Sequence, residues 1–209
     1  MKKIFVPNTM LQQATKALLS SRFEIVDKPE DADAICFTGG EDINPEIYGD
    51  KCMNCTYFNT NRDKYEIGLY NLYSDKKFIG ICRGAQLLAA LKGMSLVQDI
   101  TSPHPSVHSV DYMREDGKTE RVVVNSYHHQ AIIEPMKLFF PCDVLMDSPE
   151  IKGYTFPMEK DYPVEDWIPC MDMFKCENVF GVQYHPELSG CSERGIEVFM
   201  NEVERFLGE

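Results

Sequence analysis

Short continuous apolar runs alternate with helical stripes along the first half of this chain. Lys2 to Val6 reads as a strand, and Leu11, Ala14 and Leu18 recur at helical spacing after Asn8, which can cap that helix. Phe23 to Val26 and Ala34 to Phe37 are short strands bounded by charged residues or glycine. The spacing predicts a helix over 62–74, with Tyr65, Leu69, Leu72 and Tyr73 on one side. A strand from Phe78 to Ile81 follows, then a helix over 83–92 stopped by Gly93.

Strand character dominates the second half. Val107 to Tyr112 and Arg121 to Val124 pair about the turn-like EDGK of 115–118, and Val179 to Tyr184 is a further strand. The last segment is the clearest helix: Ile196, Phe199, Met200, Val203, Phe206 and Leu207 share one face behind a Ser192 cap. Residues 135–176 hold six of the twelve prolines with little periodicity, and read as an irregular excursion rather than a second domain. Alternating strands and helices with continuous apolar runs predict one α/β domain over residues 1–209, its central sheet mainly parallel and flanked by helices on both faces.

Length and charge narrow the function classes. A chain of 209 residues that is 44% hydrophobic can bury a substantial core. With 33 acidic side chains against 21 basic, the formal net charge of −12 opposes binding to nucleic acid or to an anionic membrane surface, and no basic patch offsets it. The opening MKKIFVPNTM has too few apolar residues before Pro7 for a secretory signal, and no later run approaches a membrane span. A cytoplasmic location is the expectation, and with it eight cysteines kept as thiols.

Position singles out one of these thiols. Residues 80–86, GICRGAQ, place Cys82 between an apolar run and a helix, flanked by Gly80 and Gly84. In an α/β sheet, a sharp strand-to-helix elbow at a strand's carboxyl end pushes one side chain into the crevice, and the amides and dipole of the following helix favour a thiolate there. A small buried thiol is an equal alternative for G-x-C-x-G taken alone. Other segments break the tie. GVQYHPE at 181–187 supplies His185 and Glu187, two apart on an extended segment stiffened by Pro186: a base and its orienting partner. TGGED at 38–42 follows the strand AICF with two glycines, whose amides can closely approach an oxyanion.

Glycine loop, cysteine elbow and late His-x-Glu, in this order, resemble the class I glutamine amidotransferases, in particular their γ-glutamyl hydrolase branch. TGGEDINPEIYG (38–49), RDKYE (62–66), FIGICRGAQLLAALKGMSLVQDI (78–100), HPSVHSV (104–110), VNSYHHQAI (124–132) and GVQYHPE are similar to that branch in the same order. The resemblance implies a flavodoxin-like fold and hydrolysis of a γ-glutamyl amide, either glutamine or a γ-glutamyl-amine conjugate, through a γ-glutamyl thioester, with no metal or cofactor. Cys82 is the implied nucleophile, His185 the acid and base, and Glu187 its orienter. The amides of Arg83 and of Gly39 or Gly40 are the implied oxyanion hole. Gln86 matches a position that contacts the glutamyl group, and Ser126, Tyr127 and His128 fall where the family shapes its pocket for the α-amino and α-carboxylate groups. His129 receives no role, and His104 and His108 read as structural. Residues 135–176 lack the Asp-Gly-x-x-Glu-Ala stretch of that branch, which leaves the released amine open.

Other readings stay open at this level. A glutaminase subunit that passes ammonia to a separate synthetase carries the same motifs. A non-catalytic interaction module can instead hold zinc through Cys52, Cys55, Cys170 and Cys176. PfpI-like proteins also have a cysteine elbow, but place histidine directly after the cysteine, where this chain has Arg83.

Overall fold

The structure is a computed structural model and describes residues 1–102, 106–134, 142–148 and 150–208. Strands and helices alternate first: β1 (Lys3–Phe5), α1 (Gln12–Leu19), β2 (Glu24–Val26), β3 (Ala34–Phe37), α2 (Thr60–Leu72), β4 (Lys77–Ile81) and α3 (Arg83–Leu91). Strands then follow one another as β5 (Leu96–Val97), β6 (Asp99–Ile100), β7 (Val107–Met113), β8 (Thr119–Asn125), β9 (Ala131–Ile133), β10 (Asp143–Asp147), β11 (Ile151–Thr155), β12 (Val164–Ile168), β13 (Cys170–Cys176) and β14 (Val179–Val182), before α4 (Glu193–Gly208).

The main sheet has the order β2-β1-β3-β4-β14-β13-β10-β7-β8. From β2 to β14 every pairing is parallel. Beyond β14 the sheet continues antiparallel, ending in the expected β7–β8 hairpin, while β6, β11 and β12 form a small separate sheet. The central strands β3, β4 and β14 bury both faces, which is why they read as unbroken apolar runs. Cys36, Ile81 and Val182 face the side packed by Phe199, Val203 and Phe206 of α4. Phe37, Phe78 and Val179 face the side packed by Leu87 and Leu88 of α3. The Ser192 hydroxyl accepts the Gly195 amide at 3.0 Å and caps α4 as its position foretold.

Several local expectations change. Asn8 does not cap α1; Leu11, at φ 63°, takes that place without a side-chain bond, and Asn8 accepts from the Gln12 side chain instead. Helix α2 leaves Tyr65 and Leu72 exposed and turns Arg62, Asp63 and Glu66 inward beside Leu69, because ionic partners wait there. Residues 135–176 are not irregular where described, since β10 to β13 lie within them. Pro157, Pro163 and Pro169 fall between strands, where a missing amide breaks no ladder, and register shifts about Met146 obscure the alternation of β10.

The cysteines also depart from expectation. Cys142 and Cys176 lie opposite each other beside the β10–β13 ladder, Cα atoms 4.4 Å apart, and form a disulfide; not all eight remain thiols. Cys176 is thereby withdrawn from the four-thiolate arrangement, and Cys170 is buried in an apolar cluster with Val97, Ala131 and Ile151. Among the described residues no group of three or more His, Cys, Asp or Glu is placed to hold a metal ion. No helix among them is long and apolar enough to cross a membrane.

Candidate active site

Three neighbouring parallel strands end at one crevice. β3 pairs with β4 through Phe37 and Gly80, and β14 with β4 through Gly181 and Gly80 and through Val182 and Ile81. The segments that leave these strands, TGGED, CRGAQ and QYHPE, therefore emerge side by side, as open α/β sheets require of their ligand sites.

Cys82 sits at φ 51°, ψ −110°, outside the ordinary range for a residue with a side chain. Such a conformation costs on the order of 1–3 kcal/mol and persists only where the surroundings over-determine it. Here the Cys82 amide donates to Val182 O at 2.7 Å, and its carbonyl accepts the Gln86 amide at 2.9 Å. Both flanking glycines are needed. A Cβ on Gly80 would lie 2.5 Å from the Ala85 nitrogen, and one on Gly84 would lie 2.2 Å from Phe37 O.

His185 is buried, and its Nδ1–H donates to Glu187 Oε1 at 2.8 Å. That bond leaves Nε2 for the other side of the ring, and the Cys82 side chain interacts with the imidazole. Burial opposes a charge on the imidazole, but the interactions with Cys82 and Glu187 outweigh it and push the His185 pKa up to about 10. Gly39 backs the ring: a Cβ there would lie 2.5 Å from His185 Cε1. The structure thus brings Cys82, His185, Glu187 and the glycine loop together.

Arg83 also anchors α3 to α2. Its side chain is fully buried and runs to Asp63 at 2.5 Å and to Glu66, both on α2. Glu66 also receives Arg62 Nε at 3.0 Å, and Arg62 reaches on to the Thr38 and Gly39 carbonyls. Neither Arg62 nor Glu66 receives a role from the sequence, although both lie in the family-like segment RDKYE; the weak apolar stripe of α2 is a second signal.

Gln86 lies one turn beyond Cys82, and its Nε2 donates to Gln183 Oε1 at 3.3 Å and to Gln130 O at 3.4 Å. Ser126, Tyr127 and His128 occupy the β8–β9 connection. Ser126 Oγ is 3.0 Å from His128 Nε2, and His128 Nδ1–H donates to Gln130 O at 2.6 Å. The half-exposed Tyr127 ring meets the His185 ring edge-on, centroids 5.9 Å apart, and donates its hydroxyl to Ser189 O. With Ile100, Ser102 and His129 these residues line a cavity of about 480 Å³. His129 bridges Asp42 and Asp99 at 3.1 and 3.3 Å, and the bond to Asp42 raises its pKa.

Two residues of the surroundings escaped sequence reasoning. Asn125, fully buried, clips the His185 backbone at both ends, its Oδ1 accepting the amide and its Nδ2 donating to the carbonyl, each at 2.8 Å. Asp172 is a buried carboxylate; burial opposes its charge, but His108 at 3.4 Å and the Ser148 hydroxyl hold its pKa down. His108 on β7 thus pairs with a buried carboxylate, while His104 lies outside the described residues.

A family model described as Peptidase C26 matches residues 21–187. The chain belongs to the Peptidase C26 family. Among relatives of this Peptidase C26 member, Protein NtpR of Enterococcus hirae is 32% identical over 184 residues, covering 77% of this chain and 69% of the relative. A glutamine amidotransferase-like protein of Lactococcus lactis, the YvdE homologue, is 33% identical over 48% of this chain and 63% of its own length. The glutamine-hydrolyzing GMP synthase subunit of Sulfurisphaera tokodaii is 30% identical over 65% of this chain and 63% of its own length. The chain thus spans about two thirds of the length of these relatives. The fold is shared with a glutamine amidotransferase of Thermotoga maritima, at TM-score 0.55 and 16% identity over 97% of this chain and 84% of that one. Peptidase C26 membership and this fold make the protein class I glutamine amidotransferase-like, and membership supports a hydrolase-type enzyme.

Proposed function

We propose that the protein hydrolyses a γ-glutamyl amide through a thioester on Cys82, releasing glutamate and either ammonia or an amine. One observation carries this reading: His185, hydrogen-bonded to Glu187, interacts with the Cys82 side chain across the ends of two adjacent parallel strands. The Cys82 thiolate attacks the γ-carbonyl carbon, and the carbonyl electron pair moves onto oxygen, which the amides of Arg83 and of Gly39 or Gly40 receive. The imidazolium Nε2–H protonates the departing nitrogen as its bond to carbon breaks. Neutral Nε2 then takes a proton from water while that oxygen attacks the thioester, and Cys82 leaves as thiolate. Glu187 accepts Nδ1–H throughout, which keeps the ring in the tautomer the cycle needs and stabilises its cation. Gln86, Ser126, Tyr127 and His128 are the groups proposed to meet the glutamyl end.

The test offers glutamine and a panel of γ-glutamyl amines to the isolated protein and measures glutamate release. Turnover of one conjugate, abolished in a folded Cys82→Ala variant, is the expected result; residual hydrolysis by that variant overturns the mechanism. A second reading, a glutaminase subunit feeding ammonia to a separate synthetase, is supported by the similarity to a glutamine-hydrolyzing GMP synthase subunit. It predicts near inactivity until a synthetase is added.

A further inference from the structure

Helix α2 buries ions where an amphipathic helix would bury carbon. The side chains of Arg62, Asp63, Glu66 and Arg83 are 7%, 4%, 0% and 0% exposed. Desolvating such groups costs several kcal/mol per ion, so a buried ionic network is poor evidence for stability and asks for another reason.

The geometry supplies one. Arg62 Nη2 donates to Thr38 O at 2.9 Å and to Gly39 O at 3.0 Å, while Nη1 reaches Glu41 at 2.9 Å. Every described peptide bond here is trans, and in a trans peptide the carbonyl and the following amide point in opposite directions. Drawing the Thr38 carbonyl to Arg62 turns the Gly39 amide away from it, and drawing the Gly39 carbonyl turns the Gly40 amide away. His185 packs on Gly39. Among the described residues neither glycine amide donates to a protein acceptor, nor does that of Arg83. Gly40 must lack a side chain for the clamp to close, since a Cβ would lie 2.1 Å from Arg62 Nη1.

We propose that Arg62 is the positioning residue of the oxyanion hole, holding the Thr38–Gly40 segment by its carbonyl edge so that its amides face Cys82. Glu66 joins this clamp to Arg83, whose own amide begins α3 and completes the hole. One buried carboxylate thus ties the two halves of the hole, borne on β3 and α3, to a single helix. The inference rests on the γ-glutamyl thioester reading.

Two reagents separate positioning from general damage. Iodoacetamide alkylates a thiolate without an oxyanion, iodide leaving as the C–S bond forms. A γ-glutamyl aldehyde adds Cys82 sulfur to its carbonyl carbon, and the oxygen takes the electron pair and a proton, giving a thiohemiacetal whose oxygen occupies the hole. Losing one oxyanion donor costs roughly 10²–10³-fold in kcat. Arg62→Met is therefore expected to lose about 100-fold in kcat and in aldehyde affinity, with KM and the iodoacetamide rate near wild type. Arg62→Lys, which retains a donor for the two carbonyls, is expected to recover part of both losses. Should Arg62→Met fail to fold, Arg62→Lys decides alone by the same split. Equal loss in both reagents, or no loss in either, overturns the inference. Wild-type protein that binds no aldehyde overturns the hydrolase reading and the inference together, whereas aldehyde binding undiminished in the Arg62 variants overturns the inference alone.

Discussion

Gln183 Nε2 lies 3.8 Å from Cys82 Sγ, and Gln183 Oε1 accepts the Gln86 Nε2 hydrogen at 3.3 Å. An amide has one donor end and one acceptor end, so these two bonds orient both glutamines. Gln183 presents its donor to the sulfur, and Gln86 has its own donor bound to protein.

Replacing Gln183 by Leu removes a donor to the proposed thiolate and frees Gln86 to turn. A hydrogen bond to a charged group contributes about 1.5–3 kcal/mol, so kcat/KM is expected to fall roughly 10- to 100-fold. Steady-state kinetics on the preferred γ-glutamyl amide checks this, and a loss under two-fold refutes it.

The imidazole of His185 is expected to hold its proton far above the usual value of about 6.5 and to release it near 10. The folded state then binds more protons than the unfolded state between these values. Its contribution to stability is complete below the lower one and is lost as pH rises through the upper one. Ring NMR shifts report the titration directly. In Cys82→Ala the midpoint is expected to drop, because the interaction with the thiol is the larger of the raising influences.

Two glycines predict opposite effects. Gly84→Ala drives a Cβ to 2.2 Å from Phe37 O, and overpacking of this kind destabilises by about 1–3 kcal/mol or more. Gly68 lies inside α2 with nothing within 4 Å of its Cβ position, so Gly68→Ala is expected to stabilise by about 0.5–1 kcal/mol. Urea denaturation of the two variants decides both signs.

Asn125→Ala leaves the buried His185 amide without a partner, while the His185 carbonyl keeps the Leu188 amide at 3.2 Å. An unsatisfied buried group costs about 1–3 kcal/mol. The variant is expected to be less stable by at least about 1 kcal/mol and to lose activity beyond what its folded fraction explains, since the base is no longer held. Comparing urea midpoints with activity per folded molecule separates the two effects.

Much of the site was legible before the fold. Local chemistry marks Cys82 at its elbow, His185 and Glu187 two apart on a stiffened strand end, and the glycines after β3. The unbroken apolar runs of β3, β4 and β14 likewise declare a sheet covered on both faces. These features depend on neighbours in sequence, and periodicity reports them.

Contacts between distant segments are not encoded that way. The inward face of α2 is charged because Arg83 and the Thr38–Gly39 carbonyls meet it there, and no stripe along 60–72 announces it. Asn125 becomes the clip on His185 only because the end of β8 and the exit from β14 are brought together. Sequence alone determined which residues can carry the chemistry; tertiary structure decided which backbone edges and buried charges hold them, because strand pairing and desolvation act between segments far apart along the chain.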